Sequence, residues 1–176
     1  MQQHIYLHKK LYMIFTALLA YILSLLPLHL SSFYLTIGLI PIVILGLNFG
    51  VKASLIASLT WGILTLLTGQ AEILTPTQAF LEYIVAFTCG GLGGLYNFRK
   101  HPHSFTTVFN SLVIATTARY FWHFVAGVIF WRQFMPAHFN PYIYSLLTNG
   151  GSCLLTILID GFILWFLFKQ QFSLLK

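Results

Sequence analysis

From Leu11 to Phe168 this chain is one apolar run after another, and the short segments between and flanking the runs hold most of its charge. Inside a bilayer only a helix or a closed barrel satisfies every backbone N–H and C=O, and a spanning helix needs about 20 apolar residues. A chain of 176 residues has room for six such helices and no separate soluble domain. Hydrophobic residues make up 58% of it and charged residues 7%, far outside the usage of a water-soluble globule. The fold expected is all-α: one membrane domain, residues 1–176, built as a bundle of six transmembrane helices.

The spans fall near 11–28, 35–47, 53–68, 78–96, 106–131 and 142–168. The second is short and carries Pro41, and the fifth is long enough to tilt, so unequal helices leave room for a concavity. The first is read as a retained helix, because no small-residue cleavage pattern follows it. Lys9, Lys10, Lys52, Arg99, Lys100, Lys169 and Lys176 then share one side, and only Arg132 lies in a loop on the other. By the positive-inside bias both termini are cytoplasmic. The formal charge of +6 is spread over loops that face anionic headgroups, so the lipid bilayer accounts for it and no nucleic acid is called for. Cys89 and Cys153 lie within spans and are read as packing thiols.

This topology brings polar groups from four helices to one depth. At 1.5 Å per residue, Glu82 sits about 9 Å below Pro76, and Trp61, His123 and Asn149 sit about 12 Å below Gly69, Trp131 and Pro141. A carboxylate at that depth costs several kcal/mol unless it is paired or wet. Glu82 alone is equally consistent with a functional group and with a structural carboxylate bonded to His123 or Arg119. The fifth helix shifts that balance. Arg119, His123, Gly127 and Trp131 recur at intervals of four along one face. Gly127 removes bulk between an imidazole and an indole, which leaves space for a planar ligand or for the close approach of another helix. With Tyr144 and Asn149 entering at the same level, the pocket reading is preferred. Its chemistry suits an aromatic cation: Glu82 as counter-charge, Trp61, Trp131 and Tyr144 as π faces, and Asn149 as paired donor and acceptor. Glu72 near the mouth adds negative potential, or is an ordinary solvated acid.

At these residues the chain resembles a known family. Leu81-Glu82-Tyr83, the run from Tyr120 through His123 and Gly127 to Trp131, Tyr144-Ser145 with Asn149-Gly150, and Thr60-Trp61-Gly62 are similar to the thiamine-specific substrate-binding (S) component of energy-coupling factor transporters. The likeness implies capture of thiamine from outside a bacterial plasma membrane. It also implies energy from a separate transmembrane coupling protein and two cytoplasmic ATPase subunits. It assigns Glu82, His123, Trp131, Tyr144, Asn149, Gly127 and Trp61 to the ligand, with Arg119 and Tyr83 in support. Arg119 stands where lysine is usual.

Two regions depart from the family pattern. Ser32, Phe33 and Tyr34 occupy the loop that elsewhere carries a lid tryptophan, so Phe33 or Tyr34 is expected to take its place. On the first helix Ile14 and Leu18 align with small partner-facing residues, while Thr16 and Ala20 offer a small pair in another register. Ala86, Gly90 and Gly94 form a second small stripe, read as internal packing. Asp160 is expected to make a local ion pair near the cytoplasmic end of the sixth helix.

No catalytic set stands out. The glycines at 90, 91, 93 and 94 lack the following Gly-Lys-Ser/Thr of a phosphate loop, no cofactor is called for, and His123 is the one histidine deep in a span, which makes a poor metal site. Two alternatives stay beside thiamine capture: the same scaffold specific for another thiamine-like or pyrimidine precursor, and an intramembrane enzyme using Glu82 and His123 as acid and base.

Overall fold

The structure, a computed structural model, describes residues 2–30 and 32–173. Its six helical bodies are α1 (Gln2–Ser24), α2 (Leu39–Phe49), α3 (Val51–Leu67), α4 (76–95), α5 (Phe105–Ile129) and α6 (Pro141–Ser173). A short hairpin, β1 (His29–Leu30) with β2 (Phe33–Tyr34), follows α1 with His29 opposite Tyr34. Helices α5 and α6 are each long and apolar enough to cross a membrane alone.

The outer surface is the reverse of a soluble protein's. Phe15, Leu67, Leu158 and Phe162 are exposed, whereas Ser54, Ser58, Ser111, Thr116 and Thr156 are buried. In water such an apolar exterior drives aggregation; in lipid it is the solvated face. Lipid tails supply no hydrophobic force between helices, so close approach of small residues does the work. Gly91 and Gly94 of α4 lie on the backbone of α3 at Leu55 and Val51, and Ser54 and Ser58 donate to the carbonyls of Gly91 and Phe87. The 86–94 stripe is thus internal packing, as expected.

Helix α2, 11 residues and about 16 Å long, is too short to cross the bilayer by itself. It is buried almost all round, from Leu39 to Leu47, as a helix apolar on every face must be. Helix α1 ends at Ser24, earlier than the apolar run implied: the Ser24 hydroxyl donates to the Tyr21 carbonyl at 2.7 Å and accepts from Trp61 Nε1 at 3.1 Å. Leu25 to Leu28 then lead into the hairpin. On α1, Ala20 is buried with its carbonyl against Gly38, while Ile14 and Leu18 are exposed. The Thr16/Ala20 register therefore turns inward at Ala20, and the aligned Ile14/Leu18 register faces out.

Asp160 departs from expectation. It is 0% exposed, and neither carboxylate oxygen has a hydrogen-bond partner among the described residues. Among the described residues it makes no ion pair, since α6 runs on for more than three turns past Asp160 and leaves it away from the helix end. Lys169, the basic residue on that extension, lies over the Trp165 ring at 5.2 Å instead.

Candidate functional site

Between α3, α4, α5 and α6 lies a cavity of about 640 Å³, with Glu72 and Arg132 of the adjoining loops among its lining residues. Trp61, Glu82, His123, Gly127, Trp131, Tyr144 and Asn149 all line it, together with Arg119, Tyr83 and Tyr34. Such a volume suits a small organic ligand.

The segment that delivers Glu82 is unusual. Helix α4 opens as one α-turn, Pro76–Ala79, capped by the Thr75 hydroxyl, which accepts from Gln78 N. It passes into a π-helix, Phe80–Ala86, and ends in a 3₁₀ turn, Gly91–Leu95. The π-segment lies directly on α3, since a Cβ at Gly62 would collide with the Tyr83 carbonyl. Widening the turn to i→i+5 pairing brings Glu82 and Phe87 toward one face, which ordinary helical spacing does not do.

Glu82 is 6% exposed and is held by two N–H donors. Trp131 Nε1 donates to Oε1 at 2.8 Å, and Gln78 Nε2 donates to Oε2. Neither His123 nor Arg119, the partners read from sequence as alternatives, is hydrogen-bonded to it. An ionised carboxylate has about four lone-pair sites, so two bonds leave acceptor capacity beside the cavity. The indole of Trp131 is therefore more than a wall: its edge steers the carboxylate while its ring lies 5.6 Å from Phe134.

Arg119 forms the floor. It is 7% exposed, with its guanidinium carbon 3.7 Å from the centre of the Phe87 ring and 4.6 Å from that of Trp61. Two aromatic faces thus cover the charge, a favourable cation–π arrangement in a desolvated site. Nε and Nη1 have no hydrogen-bond partner among the described residues. Trp61 is 0% exposed and packs edge-on against Phe87, so it supports the floor from beneath.

On the opposite wall Gly127 serves helix packing and cavity alike. A Cβ there would strike Ser145 Oγ and come within 3.0 Å of Asn149 Nδ2. Asn149 Nδ2 donates to Ser145 Oγ at 3.1 Å, which donates to the Phe124 carbonyl at 2.8 Å, so the amide oxygen of Asn149 is left for other use. His123 lies next to Tyr120, ring centres 5.9 Å apart, and Tyr144 packs on Phe139 at 5.7 Å.

The hairpin separates the two lid candidates. Tyr34 lines the cavity and is 70% exposed; its backbone N donates to Ser152 Oγ at 3.0 Å, and its carbonyl accepts from Tyr120 at 2.8 Å. Phe33 is not among the lining residues and packs against Gly151. Strand alternation sends neighbouring side chains to opposite faces, so one of the two has to turn away.

Sequence reasoning missed Gln78 and Phe87. The first had a signal, since Gln78 and Glu82 are four apart on a helix. Phe87 had none, because only the π-turn aligns it with Glu82.

Three comparisons bear on this geometry. Residues 11–176 match the family model described as thiamine transporter protein (Thia_YuaJ). The chain is 39% identical to the thiamine transporter ThiT of Lacticaseibacillus paracasei, over 93% of this chain and 90% of that one. It is 32% identical to ThiT of Bacillus subtilis, over 80% and 78%. Among solved structures, ThiT from Listeria monocytogenes superposes with a TM-score of 0.88 at 36% identity, covering 96% of this chain and 97% of that one.

Proposed function

The chain belongs to the thiamine transporter protein family, and on that premise we propose that it captures thiamine in the outward-facing cavity as the S component of an energy-coupling factor transporter. The observation that carries this reading is Glu82. It is a buried carboxylate held by two N–H donors and edged by aromatic rings, which suits a flat ligand with a delocalised positive charge. Its negative charge faces the positive thiazolium ring of thiamine, whose nitrogen carries no hydrogen, so the match there is by charge rather than by a hydrogen bond. His123 and the Trp131 ring provide stacking faces, and Tyr144 and Asn149 provide polar contacts. Arg119 stands below with its charge covered by Phe87 and Trp61, which softens its repulsion of a cation at Glu82.

In this reading residues 1–176 form one membrane domain with both termini cytoplasmic in a bacterial plasma membrane. The cavity opens outward beside Glu72, Arg132 and Tyr34. Delivery inward draws on a separate transmembrane coupling protein and two ATPase subunits, so ATP hydrolysis belongs to other chains. In the same reading the chain itself binds without turnover.

Titration of the purified chain with thiamine, followed by intrinsic tryptophan fluorescence, tests the proposal, because Trp61 and Trp131 both line the cavity. A saturable change with recovery of unaltered thiamine supports capture. A chemically altered product points to the enzyme, and no response at micromolar ligand overturns thiamine as the substrate.

A further inference from the structure

Gln78 lies outside every motif that carried the family resemblance, and it is among the largest fully buried side chains of the molecule at 0% exposure. A buried amide has to satisfy two N–H donors and an oxygen. Its oxygen accepts from Leu74 N at 3.0 Å. Its nitrogen donates to the Glu72 carbonyl at 3.1 Å and to Glu82 Oε2. Each polar atom is engaged, and the bonds run to two different parts of the protein: the backbone of the loop before α4, and the carboxylate in the cavity.

The position of Gln78 is itself fixed. It sits one turn before Glu82, on the turn capped by Thr75. On the other side of Glu82, the Tyr83 hydroxyl accepts from Glu72 N at 2.8 Å. The loop is therefore clamped by the side chains four before and one after the carboxylate. A rotation of Glu82 away from Gln78 strands a buried N–H, and a shift of the loop pulls on the amide that orients Glu82.

We propose that Gln78 is a positioning residue for charge recognition, aiming the Glu82 carboxylate at the cationic part of the ligand and joining the 72–74 loop to that site. The proposal rests on the thiamine-capture reading. It differs from a purely structural role in one measurable respect: loss of aim weakens binding of a cation and leaves an uncharged ligand of the same shape unaffected.

The probes are thiamine and an isostere in which an uncharged thiophene replaces the thiazolium. Dissociation constants for both are measured with the full chain and with Gln78→Met, which keeps length and removes all three hydrogen bonds. The expected result is about a tenfold loss for thiamine, in line with a bond to a charged group, with the isostere changed by less than about twofold. Gln78→Asn, which keeps the amide but withdraws it by one methylene, gives the same selective loss and stands in where Gln78→Met does not fold. Ser111→Ala, which loses the hydrogen bond to the Gly93 carbonyl and does not line the cavity, lowers thermal stability while leaving the ratio of the two constants unchanged. Equal loss for both ligands, or no loss for either, overturns the proposal. Absence of thiamine binding by the unaltered chain overturns the capture reading instead.

Discussion

At Glu82 one carboxylate has its oxygens engaged from two places, by Gln78 of α4 and by Trp131 of the connection after α5, and that shared hold defines what neighbouring side chains do. Trp131 offers two things at once, a ring face and an N–H donor. Trp131→Phe separates them: the face stays and the donor goes, so thiamine affinity falls about tenfold, checked by titration with each variant. Trp131→Ala loses the face as well and falls further. Asp160 is the opposite case, a buried carboxyl with no partner among the described residues to lose. Asp160→Asn therefore leaves thiamine binding unchanged and does not lower the unfolding temperature, measured by thermal shift with and without ligand.

Elements decide which residues share a surface, and here the π-segment of α4 is decisive. Inserting one residue between Glu82 and Phe87 turns Phe87 and the glycines beyond it by about 100° relative to Glu82. The expected outcome is a chain that still inserts as helix by circular dichroism and no longer binds thiamine. That Glu82 shares a layer with Trp61, His123 and Asn149 was legible in sequence, since all four line one cavity. Its neighbours were not: the pairing of Glu82 with Phe87 depends on a widened turn that the Phe80–Ala86 sequence does not announce. The fifth helix was legible up to its end: regular spacing puts Arg119, His123 and Gly127 on one face of a helix unbroken from Phe105 to Ile129, but Trp131, expected on the same stripe, falls two residues beyond it. The hairpin was half legible. An aromatic was expected at the mouth, but the strand register that assigns Tyr34 to the cavity and Phe33 to Gly151 depends on the tertiary contacts of Ser152 and Tyr120.

For the whole molecule, an apolar exterior with hydroxyl and charged side chains buried inside fixes the solvent before any site is considered. Basic loops at Arg99–Lys100 on one side and the cavity mouth on the other give the chain a direction. Single cysteines introduced at Arg99 and at Gln133 in a Cys89→Ser, Cys153→Ser background report it. A membrane-impermeant maleimide applied outside intact cells is expected to label position 133 and spare position 99; the reverse pattern contradicts the outward-facing cavity. Ile14 and Leu18 on α1 belong to that apolar exterior.

The central claim is that Glu82 recognises a cationic ligand in this cavity, and calorimetric titration of thiamine into the unaltered chain and into Glu82→Gln tests it most directly. The account predicts one saturable site in the first case, and in the second an affinity about 10–100-fold weaker, the loss of hydrogen bonds to a charged acceptor. Equal affinity in the two proteins would contradict it.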